Sequence, residues 1–153
     1  MKVFSKLTAA LVFVNCTILL SGCTVFVRTN QVSATSAHQV PADRVLKFQQ
    51  KQTNSFKFQV TRDEGFMGGG CYIGLEIDGS LAGRFDTGET ATFYLPTSTP
   101  KMSVVPDPLG RGLCGISGWT PVQENYVMRD SGPNLYRISL GAYRRPRLFH
   151  ADQ

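Results

Sequence analysis

The chain has 153 residues, of which 42% are hydrophobic and 18% charged, with 15 glycines and 8 prolines. This composition excludes a collagen, a coiled coil and a wholly disordered chain, and the length fits one domain with appendages. The formal charge is +5 and there are four cysteines. Both figures change meaning once the N-terminus is read.

Lys2 and Lys6 precede the apolar run Leu7–Leu20, which is broken only by Thr8, Asn15, Cys16 and Thr17. As a helix this run would span about 21 Å, short of the roughly 30 Å hydrocarbon core. A short apolar stretch behind lysines reads as a secretory signal. The competing readings are a buried core helix and an uncleaved anchor. The run ends in Leu20-Ser21-Gly22-Cys23, which resembles the lipobox of bacterial lipoproteins. The resemblance implies diacylation of the Cys23 thiol, cleavage after Gly22 and acylation of the new amino group. Each buried CH₂ contributes about 0.8 kcal/mol, so two or more chains hold where one exchanges. Residue 24 is Thr rather than Asp. In enteric-type bacteria the resemblance then implies transfer to the outer membrane, lipid-anchored and facing the periplasm. The expected organisation is a signal peptide over 1–22, a lipidated cysteine and tether over 23–54, and a β-sandwich domain over 55–153.

Loss of Lys2 and Lys6 with the leader lowers the formal charge from +5 to +3. That mild excess, and the location, argue against nucleic acid. Cys16 leaves with the signal and Cys23 is lipidated, so Cys71 and Cys114 remain. In an oxidising compartment two cysteines read as one disulfide. Closing about 43 residues would stabilise by about 4 kcal/mol in the chain-entropy model. Two buried thiols are the alternative; no Cys-x-x-Cys spacing supports a redox pair.

Residues 24–43 are rich in Thr, Ser, Ala, Gln and Val and read as the tether. Val25-Phe26-Val27 reads as a bilayer-interface or edge-strand segment, and Asp43–Lys51 as a short helix with Val45, Leu46 and Phe48 partly buried. From Phe56 the period is two. Strands are expected at Phe56–Val60, Cys71–Ile77, Leu81–Phe85, Ala91–Leu95, Lys101–Val105, Asn125–Arg129, Leu135–Leu140 and Tyr143–Phe149. Asp78-Gly79 is a hairpin signal, because both positions tolerate positive φ. Residues 106–124, with four glycines and three prolines, read as a long irregular loop. About six to eight short strands predict an all-β fold, an antiparallel sandwich or small barrel. The order Cys71 to Gly79, then Leu81 to Phe85, then Glu89 to Leu95, with Arg62 ending the strand before, resembles small bacterial envelope domains of the PEGA and DUF2846-like kind. The resemblance covers about Phe56 to Leu140 and implies a sandwich with no known catalysis. Pro96-Thr97-Ser98-Thr99-Pro100 and the loop at 106–124 depart from its pattern.

Catalytic and metal signals are weak. His38 falls in the expected tether and His150 in the C-terminal tail, and neither has a partner at metal-ligand spacing. Met67-Gly68-Gly69-Gly70 lacks the ending of a phosphate loop. Gly115-Ile116-Ser117-Gly118-Trp119 fails the nucleophile-elbow register at Trp119. No enzyme, metal or cofactor is expected, and no small-molecule substrate is evident. Two surfaces are candidates. The loop Leu109–Trp119 carries Arg111 and the single Trp119, residue types suited to recognition, although a lone Trp also serves as a core plug. Arg144-Arg145-Pro146-Arg147 could touch lipopolysaccharide phosphates, anionic lipid or peptidoglycan carboxylates, or could simply guard an edge strand with charge. The expected role is a non-catalytic envelope structural or assembly-accessory lipoprotein with an envelope protein partner. The alternative is a binding inhibitor or immunity-type lipoprotein acting on a periplasmic enzyme or toxin.

Overall fold

The computed structural model describes residues 29–65, 70–111, 119–140 and 145–151. The expected signal peptide, Cys23 and the Val25–Val27 segment lie outside the described residues. Within them run nine strands: β1 His38–Gln39, β2 Phe56–Arg62, β3 Ile73–Ile77, β4 Ser80–Phe85, β5 Glu89–Leu95, β6 Lys101–Pro106, β7 Gln123–Asn125, β8 Asn134–Leu140 and β9 Pro146–His150. The only helical element among them is a 3-10 turn at Ala42–Arg44. No helix of the described residues is long and apolar enough to cross a membrane. The fold is all-β.

Two sheets form, one ordered β1-β5-β2-β8-β9 and the other β4-β3-β6-β7. Period-two alternation sends one face of each into a shared core. Phe58, Val60, Phe93 and Leu95 from the larger sheet meet Leu75, Ile77, Phe85 and Met102 from the smaller, all fully buried. Each such side chain contributes about 1.5–3 kcal/mol on leaving water. A line of rings crosses the core: Phe85 to Phe93 at 6.3 Å, Phe93 to Phe58 at 6.2 Å, Phe58 to Tyr136 at 5.1 Å and Tyr136 to Tyr126 at 5.6 Å between centroids. These tilted and edge-on contacts suit the ring quadrupole.

The β3–β4 hairpin follows its sequence signal. Asp78 and Gly79 have φ of 48° and 72°, and Ile77 pairs with Ser80 across the two-residue turn. A turn with positive φ at both central positions matches strand twist. At Gly74 the strands crowd: a Cβ there would lie 2.7 Å from Val105 Cγ2.

Four expectations are corrected. The larger sheet is mixed rather than antiparallel, because β2 pairs with β8 in parallel (Phe58↔Asn134 to Arg62↔Ile138) and β1 with β5 in parallel. The expected helix at Asp43–Lys51 shrinks to the 3-10 turn. Val45 bridges Gly83, the Leu46 amide donates to Ala82 O, and Phe48 takes a φ of 61°, so the backbone bonds go to β4 instead. The strand expected at Asn125–Arg129 lies earlier, at Gln123–Asn125. Tyr126 and Met128 leave it, their amides donating to Pro100 O and Ser98 O.

The largest correction concerns the tether. Residues 29–48 form an arm that belongs to the sandwich. Asn30 and Glu64 exchange backbone hydrogen bonds, the Val40 amide donates to Thr90 O, and Val40 is buried in the core. The arm runs from the β5 edge of one sheet to the β4 edge of the other and covers the seam between them. On the opposite flank the Tyr126 hydroxyl, held protonated by burial and by Glu124, donates to Glu124 at 3.0 Å and lies 3.4 Å from Leu148 O. With Pro146, which has no N–H, this contact blunts the β9 edge.

Candidate functional site

Strand directions define two ends. Arg62, Glu64, Phe85, Glu89, Pro106, Ser139 and Pro146 lie at the end where the arm joins, here the entry end. Phe56, Leu95, Asp78-Gly79, Lys101 and Asn134 lie at the distal end. The entry end concentrates arginines, and most turn inward. Arg44, from the 3-10 turn, sets its guanidinium on Glu89 at 2.7 Å and 2.5 Å. This bidentate bond raises Arg44 above the ordinary arginine value despite burial. Arg84 grips Asp107 in the same way at 2.8 Å and 2.7 Å. Both arginines stack on Tyr72, with their guanidinium carbons 4.3 Å and 4.9 Å from the ring centroid.

Arg62 is 2% exposed and donates to Cys71 O at 2.8 Å and Phe85 O at 2.7 Å. Burial draws it down to about 10, so it keeps its charge at neutral pH. Its place between the sheets ties the end of β2 to the start of β3 and the end of β4. Arg137 of β8 bonds Asp63. Beside them lies a cavity of about 20 Å³, lined by Thr29, Arg62, Asp63, Ile138 and Ser139 among others. It has room for one water at most. A larger groove of about 260 Å³ lies between Phe48, Gln50, Gln52 and Tyr94.

This seam holds its charge in paired form, with Arg44 on Glu89, Arg84 on Asp107 and Arg137 on Asp63. Guanidinium groups stay protonated, and their carboxylates are committed to them. Among the described residues no three His, Cys, Asp or Glu gather as a metal site. His150 is not a solvated tail residue: it ends β9, its ring 4.3 Å from Tyr136 and its Nε2 3.2 Å from the Tyr136 hydroxyl. His38 is exposed in β1 rather than in a tether.

The other sequence candidates separate. Cys71 is half-buried and disulfide-bonded; Cys114 lies outside the described residues, as do Cys23 and Arg144. Trp119 packs against the core, with its indole N–H 3.4 Å from Val104 O, so it is partly a plug. Arg147 pairs with Glu124 at 3.5 Å, both about 40% exposed. Arg111 and Arg145 are exposed. Leu109, 58% exposed, stands beside Arg111 in the segment after β6. Sequence reasoning missed Arg44, Glu89, Arg84 and Asp107, whose partners lie 45 and 23 residues apart. No family model matches this chain, and no curated protein or solved structure matches it.

Proposed function

We propose that this chain is a non-catalytic lipoprotein of the outer membrane, with its sandwich facing the periplasm as an envelope structural or assembly-accessory module. The observation that carries the reading is Leu20-Ser21-Gly22-Cys23 directly behind Lys2, Lys6 and the Leu7–Leu20 run. The hairpin resemblance to PEGA and DUF2846-like domains supports it. So does a disulfide at Cys71, for which we propose Cys114 as the partner, because disulfides persist in exported proteins. The partners on this reading are the membrane, through the lipid, and an envelope protein; the reading calls for no cofactor. Cys23→Ser tests it: the precursor should stay unprocessed or mislocalised, and a normally membrane-bound product would reject it.

The inhibitor or immunity-type reading draws on Leu109 and Arg111, exposed in the segment after β6, and on the half-buried Trp119. Affinity capture with the processed protein separates the two readings. A tight one-to-one soluble partner lost on Arg111→Ala would favour the inhibitor. Co-fractionation with an envelope complex would favour the accessory role.

A further inference from the structure

The arm fixes where an anchored sandwich would point. Thr29 follows Cys23 by six residues. At about 3.3–3.6 Å per extended residue, that chain spans about 20 Å at most. β2 alone is seven residues, roughly 23 Å long. Whichever end receives Thr29 is therefore held close to the lipid, with the other end a further strand length away. Thr29 Oγ1 lies 2.7 Å from Ser139 Oγ at the end of β8. Asn30 pairs with Glu64 just beyond the end of β2. Both contacts are at the entry end.

That end also presents basic and apolar side chains to the outside. Arg145 is exposed just before β9 begins at Pro146, and Leu109 and Arg111 are exposed just after β6 ends at Pro106. Of the acids there, Asp63, Glu89 and Asp107 are buried in ion pairs and Asp86 is half-buried, while Asp43 and Glu64 are exposed. The distal end carries exposed Asp78 and Asp130 together with exposed Lys57, Lys101 and Arg129, so tether length rather than charge sets the orientation. We propose that the entry end docks on the anionic phospholipid surface, with Arg111 and Arg145 on headgroup phosphates and Leu109 at the interface. This rests on the lipoprotein reading and adds an orientation: the distal turns at Asp78-Gly79 and 130–133 face away from the bilayer.

The test uses the full processed chain, checked by mass for lipid on Cys23. It is placed in vesicles of phosphatidylethanolamine with phosphatidylglycerol, or of phosphatidylcholine alone. An arginine-selective dicarbonyl reagent and peptide mass spectrometry read each site, with exposed Arg129 as the distal reference. In anionic vesicles Arg111 and Arg145 should react about fivefold more slowly, relative to Arg129, than in neutral vesicles. Arg111 and Arg145 as reactive as Arg129 in both vesicle types, or protection of Arg129 instead, would overturn the orientation. Equal protection in both vesicle types would overturn the headgroup contact. A chain without lipid on Cys23 would overturn the anchored reading itself, and the docking with it.

Discussion

Two sets of arginines share the entry end and meet opposite fates. Arg44, Arg62, Arg84 and Arg137 turn inward onto carboxylates and carbonyls. Arg111 and Arg145 point outward. Arg147 is intermediate, half-exposed beside Glu124. The residue type is the same, so the difference comes from topology. Arg44 on the arm and Arg84 on the edge strand β4 each meet a carboxylate, whereas Arg62 and Arg137, on the inner strands β2 and β8, close onto carbonyls and onto Asp63. The lesson is that a basic cluster in sequence is not a basic surface. Arg144-Arg145-Pro146-Arg147 contributes one paired residue to β9, while Arg44 stands alone in sequence and holds the seam.

The comparison breaks first if the inward set is dispensable. Arg44→Ala leaves Glu89 buried without its cation and should cost about 3 kcal/mol, read by denaturant unfolding. A loss below about 0.5 kcal/mol would place Arg44 with the surface set. Asp107→Asn comes next, at about 1–2 kcal/mol. Burial alone would raise the Asp107 carboxyl, but the bonds from Arg84 and the Leu109 amide outweigh it, so its value lies below the ordinary one. A lowered carboxyl stabilises the fold above its unfolded value near pH 3.9, and that stability is lost as pH falls through the folded value. The variant should therefore flatten the dependence of Tm on pH below about pH 4 and leave the slope between pH 6 and 8 unchanged. Arg147→Ala should change stability by less than about 0.5 kcal/mol, because its pair is solvated and loosely spaced. Arg145→Ala should leave thermal stability unchanged while moving only the lipid-dependent readout.

Much of the sandwich was legible because its signals are local. Phe56, Phe58 and Val60 alternate with polar residues, and Asp78-Gly79 names its own turn. Cys71 to Ile77 announced β3, although the strand begins at Ile73. The parallel β2–β8 pairing was not legible, because it joins segments over 70 residues apart and leaves no pattern in either. The arm was hidden for the same reason. Its residues are polar and unperiodic, and it is ordered by backbone bonds to β4 and β5 and by one ion pair, none of which shows in local composition. Of the candidate surfaces, Arg111 and Arg145 emerged exposed as read, whereas Trp119 and Arg147 were claimed by neighbours that sequence does not bring near.

The arm, as part of the domain, sets the six-residue distance from Cys23 to folded structure. Amide hydrogen exchange on the full chain tests this at His38, Val40 and Leu46, whose N–H groups donate to Gly88, Thr90 and Ala82 carbonyls. These amides should exchange at least about a hundredfold more slowly than unstructured peptide, corresponding to about 2.7 kcal/mol of local opening. Exchange at the unstructured rate would restore a flexible tether and remove the basis for the orientation.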